Sequence, residues 1–220
     1  MYRWGRGSLQ NQFGDKERGI VVSPQFLVPK RCGWRPCPQP SWLAVASPLR
    51  HRGMGEAMIL YLMRHGQTMP TPEAGTDAER ALSEDGRAEV RGVAAGLKRL
   101  GLSVDVVLTS PVLRAWQTAE VLSSALGVGM EVCVGLLPEQ DVETLMNDLA
   151  LRADGRRLLL VGHQPCLERM LGVVLRTVEL PVALSPAGVI WLELPEFPPH
   201  WRGIIRGVFP ADVLCRLGGA

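Results

Sequence analysis

The apolar run Leu60-Tyr61-Leu62-Met63 ends in Arg64-His65-Gly66-Gln67-Thr68. A guanidinium stands beside an imidazole able to act as nucleophile or base. That pairing suits a phosphoryl group, which needs its charge neutralised and a nucleophile aimed at phosphorus. Gly66 frees the turn and lets a ligand come close to the backbone. An isolated Arg-His-Gly reads more readily as a plain surface turn, but two further segments repeat the pattern. The apolar run at residues 104–110 is followed by Pro111-Val112-Leu113-Arg114, and that at 158–162 by His163-Gln164-Pro165. Short apolar runs of this kind read as buried strands. Parallel strands would deliver the side chains that follow them to one sheet edge, where open α/β sheets bind ligands. The candidates are therefore Arg64, His65, Arg114 and His163.

The elements that must position these residues are legible from periodicity and caps. Strands are expected at residues 59–63, 104–110, 130–134, 158–162, 187–194 and 203–209. Ser83 is the expected N-cap of a helix running to about Leu100, with Glu84 and Asp85 in a first turn that favours carboxylates. Gly101 ends that helix and Gly127 ends a second one beginning near Val112. Further helices are expected from Val142, with Leu145, Met146 and Leu149 on one face, and from Cys166 to Leu175. A polar loop spans the residues before Ala81, and the tail from Phe209 reads as a chain end packed on the sheet. Alternating buried strands and helices predict an α/β fold, a three-layer α/β/α sandwich with a mostly parallel central sheet.

At four places the chain resembles the histidine phosphatase superfamily, the phosphoglycerate-mutase-like fold. These are Leu62-Met63-Arg64-His65-Gly66, Leu82-Ser83-Glu84-Asp85-Gly86, residues 108–118 around Ser110-Pro111 and Arg114-Ala115-Trp116-Gln117-Thr118, and Val161-Gly162-His163-Gln164-Pro165. The segments come in the family's order over residues 58–209, and the short phosphohistidine phosphatases of the SixA type are the branch most resembled. Gln67 and Thr68 depart from that branch and look more like the mutase and sugar-phosphatase branches. The resemblance implies a phosphatase with His65 as nucleophile, working through a phosphohistidine intermediate. Arg64, Gly66, Thr68, Arg114 and His163 would then bind the phosphate; Thr68 is equally read as only shaping the turn.

Two arginines and a second histidine around one phosphate provide charge stabilisation without a metal, so no cofactor is expected. The ring nitrogen of His65 that does not attack is expected to carry the proton and donate to a backbone carbonyl of the Gly66 turn, and neighbouring cations to keep the ring neutral. Glu139 and Asp141, in the loop before the Val142 helix, are candidate general acids. The competing reading makes Asp141 only the cap of that helix. Phosphohistidine has an imidazole leaving group, which needs less help from an acid than an alkoxide. Asp77 has no assigned role. Between Arg114 and His163 there is no room for the helical lid of mutase-like relatives, so the minimal core should have an open site. An open site favours a phosphorylated protein, such as a phosphotransfer domain, as partner. The rival readings are a small-molecule phosphomonoesterase acting on a phosphorylated metabolite, and a phosphate-binding module without turnover.

The first 57 residues differ from the rest. They hold nine basic against three acidic residues, leaving fifteen against nineteen in the remainder. They also hold six of the seventeen prolines and three of the six tryptophans. They are expected to be a basic Pro/Gly/Trp-rich extension, disordered or translated from a misassigned start, with the domain proper at 58–220. The mildly acidic domain argues against nucleic acid as a partner. No run reaches the roughly 18 apolar residues of a membrane span, so no membrane partner is expected. Cys32 and Cys37 lack a second Cys/His pair at zinc spacing. Cys133 and Cys166 read as packing residues of a reducing, cytoplasmic compartment. Oligomeric state is not legible.

Overall fold

The computed structural model describes residues 57–71, 76–152, 156–177, 182–195 and 203–219. The expectations for the first 57 residues, Ala57 excepted, lie outside the described residues, as do Cys32 and Cys37.

Strand β1 (Met58–Arg64) is buried along most of its length. Its alternate side chains enter two separate cores, as the period of two requires. Leu60 and Leu62 pack with Leu145 and Leu149 of α3 (Val142–Ala150) and with Leu167 and Met170 of α4 (Cys166–Leu175). Tyr61 and Met63 face the other core. That core is filled by Val90, Val93 and Leu97 of α1 (Glu84–Arg99), Ala115, Ala119 and Leu122 of α2 (Leu113–Leu126), and Leu214 of α5 (Ala211–Gly218). Burial on both faces explains why β1 reads as a continuous apolar run rather than an alternating one. Each fully buried Leu contributes roughly 1.5–3 kcal/mol.

The remaining strands are β2 (Val106–Thr109), β3 (Gly129–Val132), β4 (Arg157–Gly162), β5 (Val189–Leu194) and β6 (Ile204–Phe209). They form one sheet in the order β3-β2-β4-β1-β5-β6. The first four run parallel; β5 is antiparallel to β1, and β6 to β5. Arg64 is level with Gly162, and Thr109 with Val161, so β1, β2 and β4 end together. Between α2 and β4 the described residues hold only β3, a 3-10 turn at Val134–Leu136 and α3, with no large helical lid.

Most helix boundaries follow the caps. The Ser83 side chain accepts from Gly86 N at 3.0 Å, and Gly127 closes α2 with φ +74°. Three expectations need correction. The chain end is a helix, α5, seated on α1 rather than on the sheet; a Cβ at Gly96 would lie 2.2 Å from the Leu214 carbonyl. The polar loop before Ala81 contains a 3-10 turn at Asp77–Glu79. Ala187 is not in the last-but-one strand. Its φ of +55° is sparsely populated for a residue with a Cβ. In that conformation its N–H reaches the carbonyls of Arg64 and His65, at 3.1 and 3.2 Å.

Candidate active site

His65 lies just past the end of β1, and its own N–H bonds the Gly162 carbonyl at 3.1 Å, which ties it to the end of β4. Ser110 follows β2 and is tied in the same way, its N–H bonding the Val161 carbonyl at 3.1 Å. His163 follows β4. Arg114 stands in the first turn of α2 and is 7% exposed. Parallel strand ends thus bring the sequence candidates to one edge, with the rings of His65 and His163 5.2 Å apart.

The His65 ring is held at both nitrogens. Nδ1 lies 2.8 Å from the Gly66 carbonyl, and Arg114 Nε donates to Nε2 at 3.3 Å. Only the tautomer with its proton on Nδ1 satisfies both contacts, so Nε2 carries the lone pair. Burial, more than the neighbouring cations, pushes the His65 imidazole down to about 4; Arg114, Arg64 and Arg80 add to the shift. The expected cause is therefore corrected in rank: desolvation comes first. His163, 2% exposed, is pushed down to about 3 by burial and then by His65 and Arg114.

Ser110 Oγ accepts from Val112 N at 3.3 Å and lies 3.0 Å from His163 Nε2. The hydroxyl keeps a second lone pair beside its own proton, so it pairs with either tautomer of His163; where it donates to Nε2, the His163 proton sits on Nδ1. That Nδ1 is buried without a hydrogen-bond partner, as is Nε of Arg64. Arg64 NH1 donates to the Leu184 carbonyl at 3.2 Å. Two buried nitrogens left unpaired at one strand edge are costly in an apolar setting, and with the His163 proton on Nδ1 both are donors suited to an anion.

Asp77 reaches the same cluster. Its main-chain carbonyl accepts from Arg114 NH1 at 2.7 Å, and its Oδ2 lies 3.1 Å from Arg114 NH2. Its Oδ1 lies 3.0 Å from Arg80 NH1. The Arg80 hydrogen bond, followed by the charge of Arg114, holds the Asp77 carboxyl below the usual carboxylate range. Arg80 also donates to the Met69 carbonyl at 3.1 Å and to the Thr68 hydroxyl.

Several expected contacts fall elsewhere. The Gly66 N–H donates to Thr118 Oγ1 at 3.1 Å, so it is not free for a ligand. Gly66 is small because α1 packs there; a Cβ would lie 2.9 Å from Val90 Cγ2. The Thr68 hydroxyl is engaged by Arg80. Asp141 is the N-cap of α3, accepting from Thr144 N at 2.7 Å. That backbone hydrogen bond holds its carboxyl below the ordinary range, which opposes proton donation. Glu139 is exposed in the same loop. The sequence reading missed Asp77, Arg80, Ser110 and Thr118 as members of this cluster. Thr118 follows Arg114 by four residues, on the same helix face, which was a usable signal.

Cys133 and Cys166 are buried and free. Among the described residues no group of three or more His, Cys, Asp or Glu side chains is placed to hold a metal ion, and no helix is long and apolar enough to cross a membrane.

An α/β/α sandwich with two histidines and two arginines at the ends of parallel strands defines the histidine phosphatase class. The family model of the histidine phosphatase superfamily (branch 1) matches residues 60–142. Over 112 residues the chain is 35% identical to phosphohistidine phosphatase SixA of Escherichia coli (strain K12), covering 49% of this chain and 68% of that one. Over 111 residues it is 40% identical to an uncharacterized protein of Picosynechococcus sp. (strain PCC 7002), covering 49% and 67%. The solved structure of the protein histidine phosphatase SixA complexed with tungstate matches with a TM-score of 0.64 at 27% identity, covering 71% of this chain and 99% of that one. The chain belongs to the histidine phosphatase superfamily and is similar to its SixA-type members; this membership supports phosphatase activity.

Proposed function

We propose that this chain is a metal-independent protein phosphohistidine phosphatase of the cytoplasm, acting on a phosphorylated phosphotransfer protein. The reading is carried by the Nε2 lone pair of His65, set among Arg114, Arg64 and an unpartnered His163 Nδ1. A phosphoryl group seated there has its oxygens on two guanidinium forks and one imidazole N–H.

His65 Nε2 attacks phosphorus in line. The P–N bond of the substrate breaks as the new P–N bond forms, and the substrate imidazole, protonated on its other ring nitrogen, departs neutral with the electron pair. The Nδ1–H of His65 stays on the Gly66 carbonyl, which stabilises the imidazole as it gains positive character. Water then attacks the phosphohistidine at position 65 and releases inorganic phosphate, returning Nε2 to its lone-pair state. Each of Arg64, Arg114 and His163 acts by binding phosphoryl oxygens; loss of one such donor typically lowers the rate by about 100–1000-fold. Asp141, held ionised as a helix cap, fits poorly as an acid. An imidazole leaving group, with its modest need for one, agrees with that. The absence of a large lid among the described residues favours a substrate presented on the surface of another protein.

The test is phosphoenzyme trapping. Wild type incubated with labelled phosphohistidine protein and quenched should carry acid-labile label, and His65→Ala none. Label that survives the substitution overturns the nucleophile. Turnover of sugar phosphates that is faster than that of phosphohistidine protein at matched concentration overturns the substrate class in favour of a small-molecule phosphomonoesterase. Absence of turnover with any substrate would leave only a phosphate-binding module.

A further inference from the structure

Arg114 has every one of its side-chain nitrogens engaged. Nε donates to His65 Nε2 at 3.3 Å, NH1 to the Asp77 carbonyl at 2.7 Å, and NH2 sits 3.1 Å from Asp77 Oδ2. NH1 and NH2 form the edge that would grip a phosphoryl group; the Asp77 carbonyl takes one N–H of NH1 and the Asp77 carboxylate one N–H of NH2, while the Nε–H covers the nucleophilic lone pair. A carboxylate and a phosphoryl group compete for the same planar fork. The second carboxylate oxygen of Asp77 already touches another cation, Arg80 NH1, at 3.0 Å. Arg80 itself is fixed to the segment after the nucleophile through Met69 and Thr68.

We propose that Asp77 is a positioning residue that occupies Arg114 until a phosphoryl group displaces it, and that Arg80 retains the displaced carboxylate. The inference rests on the phosphatase reading of the site and adds a residue that sets which anions enter. The Asp77 side chain is 63% exposed, so its hold on Arg114 is weak and yields to a strongly bound anion. A phosphoryl dianion has the charge and the additional oxygens to win that exchange; a monoanionic carboxylate does not. Once Oδ2 leaves Arg114, Oδ1 stays on Arg80, and the carboxylate swings aside without losing its charge partner. Asp77 thus acts through Arg114 rather than on the reacting atoms.

The opposing roles of Asp77 and Arg80 make the proposal testable by inorganic phosphate binding to the full chain, measured by titration calorimetry. Asp77→Asn should bind phosphate about tenfold more tightly and lower KM for nitrophenyl phosphate with kcat little changed. Glu79→Gln removes the same charge from the same turn without touching Arg114, and should change binding less than about twofold. Arg80→Ala should weaken phosphate binding in the wild-type background and not in the Asp77→Asn background, because no carboxylate then needs a resting place. Weaker or equal binding in Asp77→Asn, or a gain matched by Glu79→Gln, overturns the proposal. An Arg80→Ala loss that persists in Asp77→Asn makes Arg80 a direct phosphate ligand and overturns its assigned part. If wild type binds no phosphate, the reading of the site itself falls; if wild type binds and the variants do not differ, only this proposal does.

Discussion

One hydroxyl joins the two halves of the site. Thr118 Oγ1 donates to the Arg114 carbonyl at 2.7 Å and accepts from Gly66 N at 3.1 Å, fully buried. It therefore couples the turn after His65 to the helix that holds Arg114. Valine has the same shape without the hydroxyl, so Thr118→Val leaves the Gly66 N–H buried and unpaired. The expected loss of stability is about 1–3 kcal/mol. Phosphoenzyme formation should slow by about tenfold or more as the nucleophile loses its register. Thr118→Ser retains both hydrogen bonds and should recover the rate. Urea midpoints and single-turnover quench measurements on the three proteins check this; a valine variant that matches wild type in both would show that the hydroxyl only fills space. At this scale the sequence was partly readable. The four cationic or imidazole side chains stood out because each follows an apolar run. Ser110, Thr118, Asp77 and Arg80 did not: Thr118 and Arg114, and Asp77 and Arg80, are near in sequence, but the contacts that draw the four into the site, Ser110 with His163, Thr118 with Gly66, Asp77 with Arg114 and Arg80 with Thr68, are made only by the fold.

At the level of elements, the start of α1 is pressed onto the segment that follows the nucleophile. Ser83 N donates to the Gln67 carbonyl at 3.1 Å, Met69 N to the Ala81 carbonyl at 3.0 Å, and Thr68 bridges Leu82. These contacts pin both ends of the loop that bears Asp77. Gly86 makes the approach possible, since a Cβ there would lie 2.3 Å from the Gln67 carbonyl oxygen. Gly86→Ala must push backbone against backbone, and helix propensity, which favours alanine by about 1 kcal/mol, works in the opposite direction. Overpacking of roughly 1–3 kcal/mol or more should dominate. The variant is expected to unfold at lower urea concentration and to bind phosphate more weakly, and a more stable Gly86→Ala protein would contradict the contact. The helices that the sequence made legible are those with local punctuation: Ser83, Asp141 and Gly127 mark their ends by their own chemistry. Helix α5 has such a mark only at its end, where Gly219 caps it with φ +87°; its N-cap, Pro210, offers no side-chain hydrogen bond. The helix is eight residues long, with Ala211 and Leu214 as its buried members, and its place is fixed by contact with Gly96 of α1. The Asp77–Glu79 turn is too short for any periodicity to show. Strand order was equally out of reach, because helical crossovers do not encode which parallel strands become neighbours.

For the molecule as a whole, the site is a charge arrangement that folding must sustain. Burial holds His65 at about 4 and His163 at about 3, both below the ordinary 6.5. The unfolded chain therefore takes up these two protons before the native protein does. The stability tied to the neutral rings is present in full above about pH 6.5 and drains as the pH falls from there toward 4 for His65 and 3 for His163. Within that window each ring contributes a slope of up to about 1.4 kcal/mol per pH unit. Carboxylates held low by arginines, Asp77 and Asp105 among them, add loss only near and below their ordinary range. The interval between pH 6.5 and 5 thus isolates the histidines. In phosphate-free buffer the urea midpoint of wild type should fall steeply across it, while His65→Gln/His163→Gln should stay nearly flat. Added phosphate binds only the folded state and should raise the midpoint of wild type more than that of the double variant. Parallel pH curves for the two proteins would mean that the rings are already solvated and titrate normally. The neutral nucleophile and the anion site formed by its neighbours would then lose their common physical basis, which is an imidazole pair kept dry between cations at the edge of one sheet.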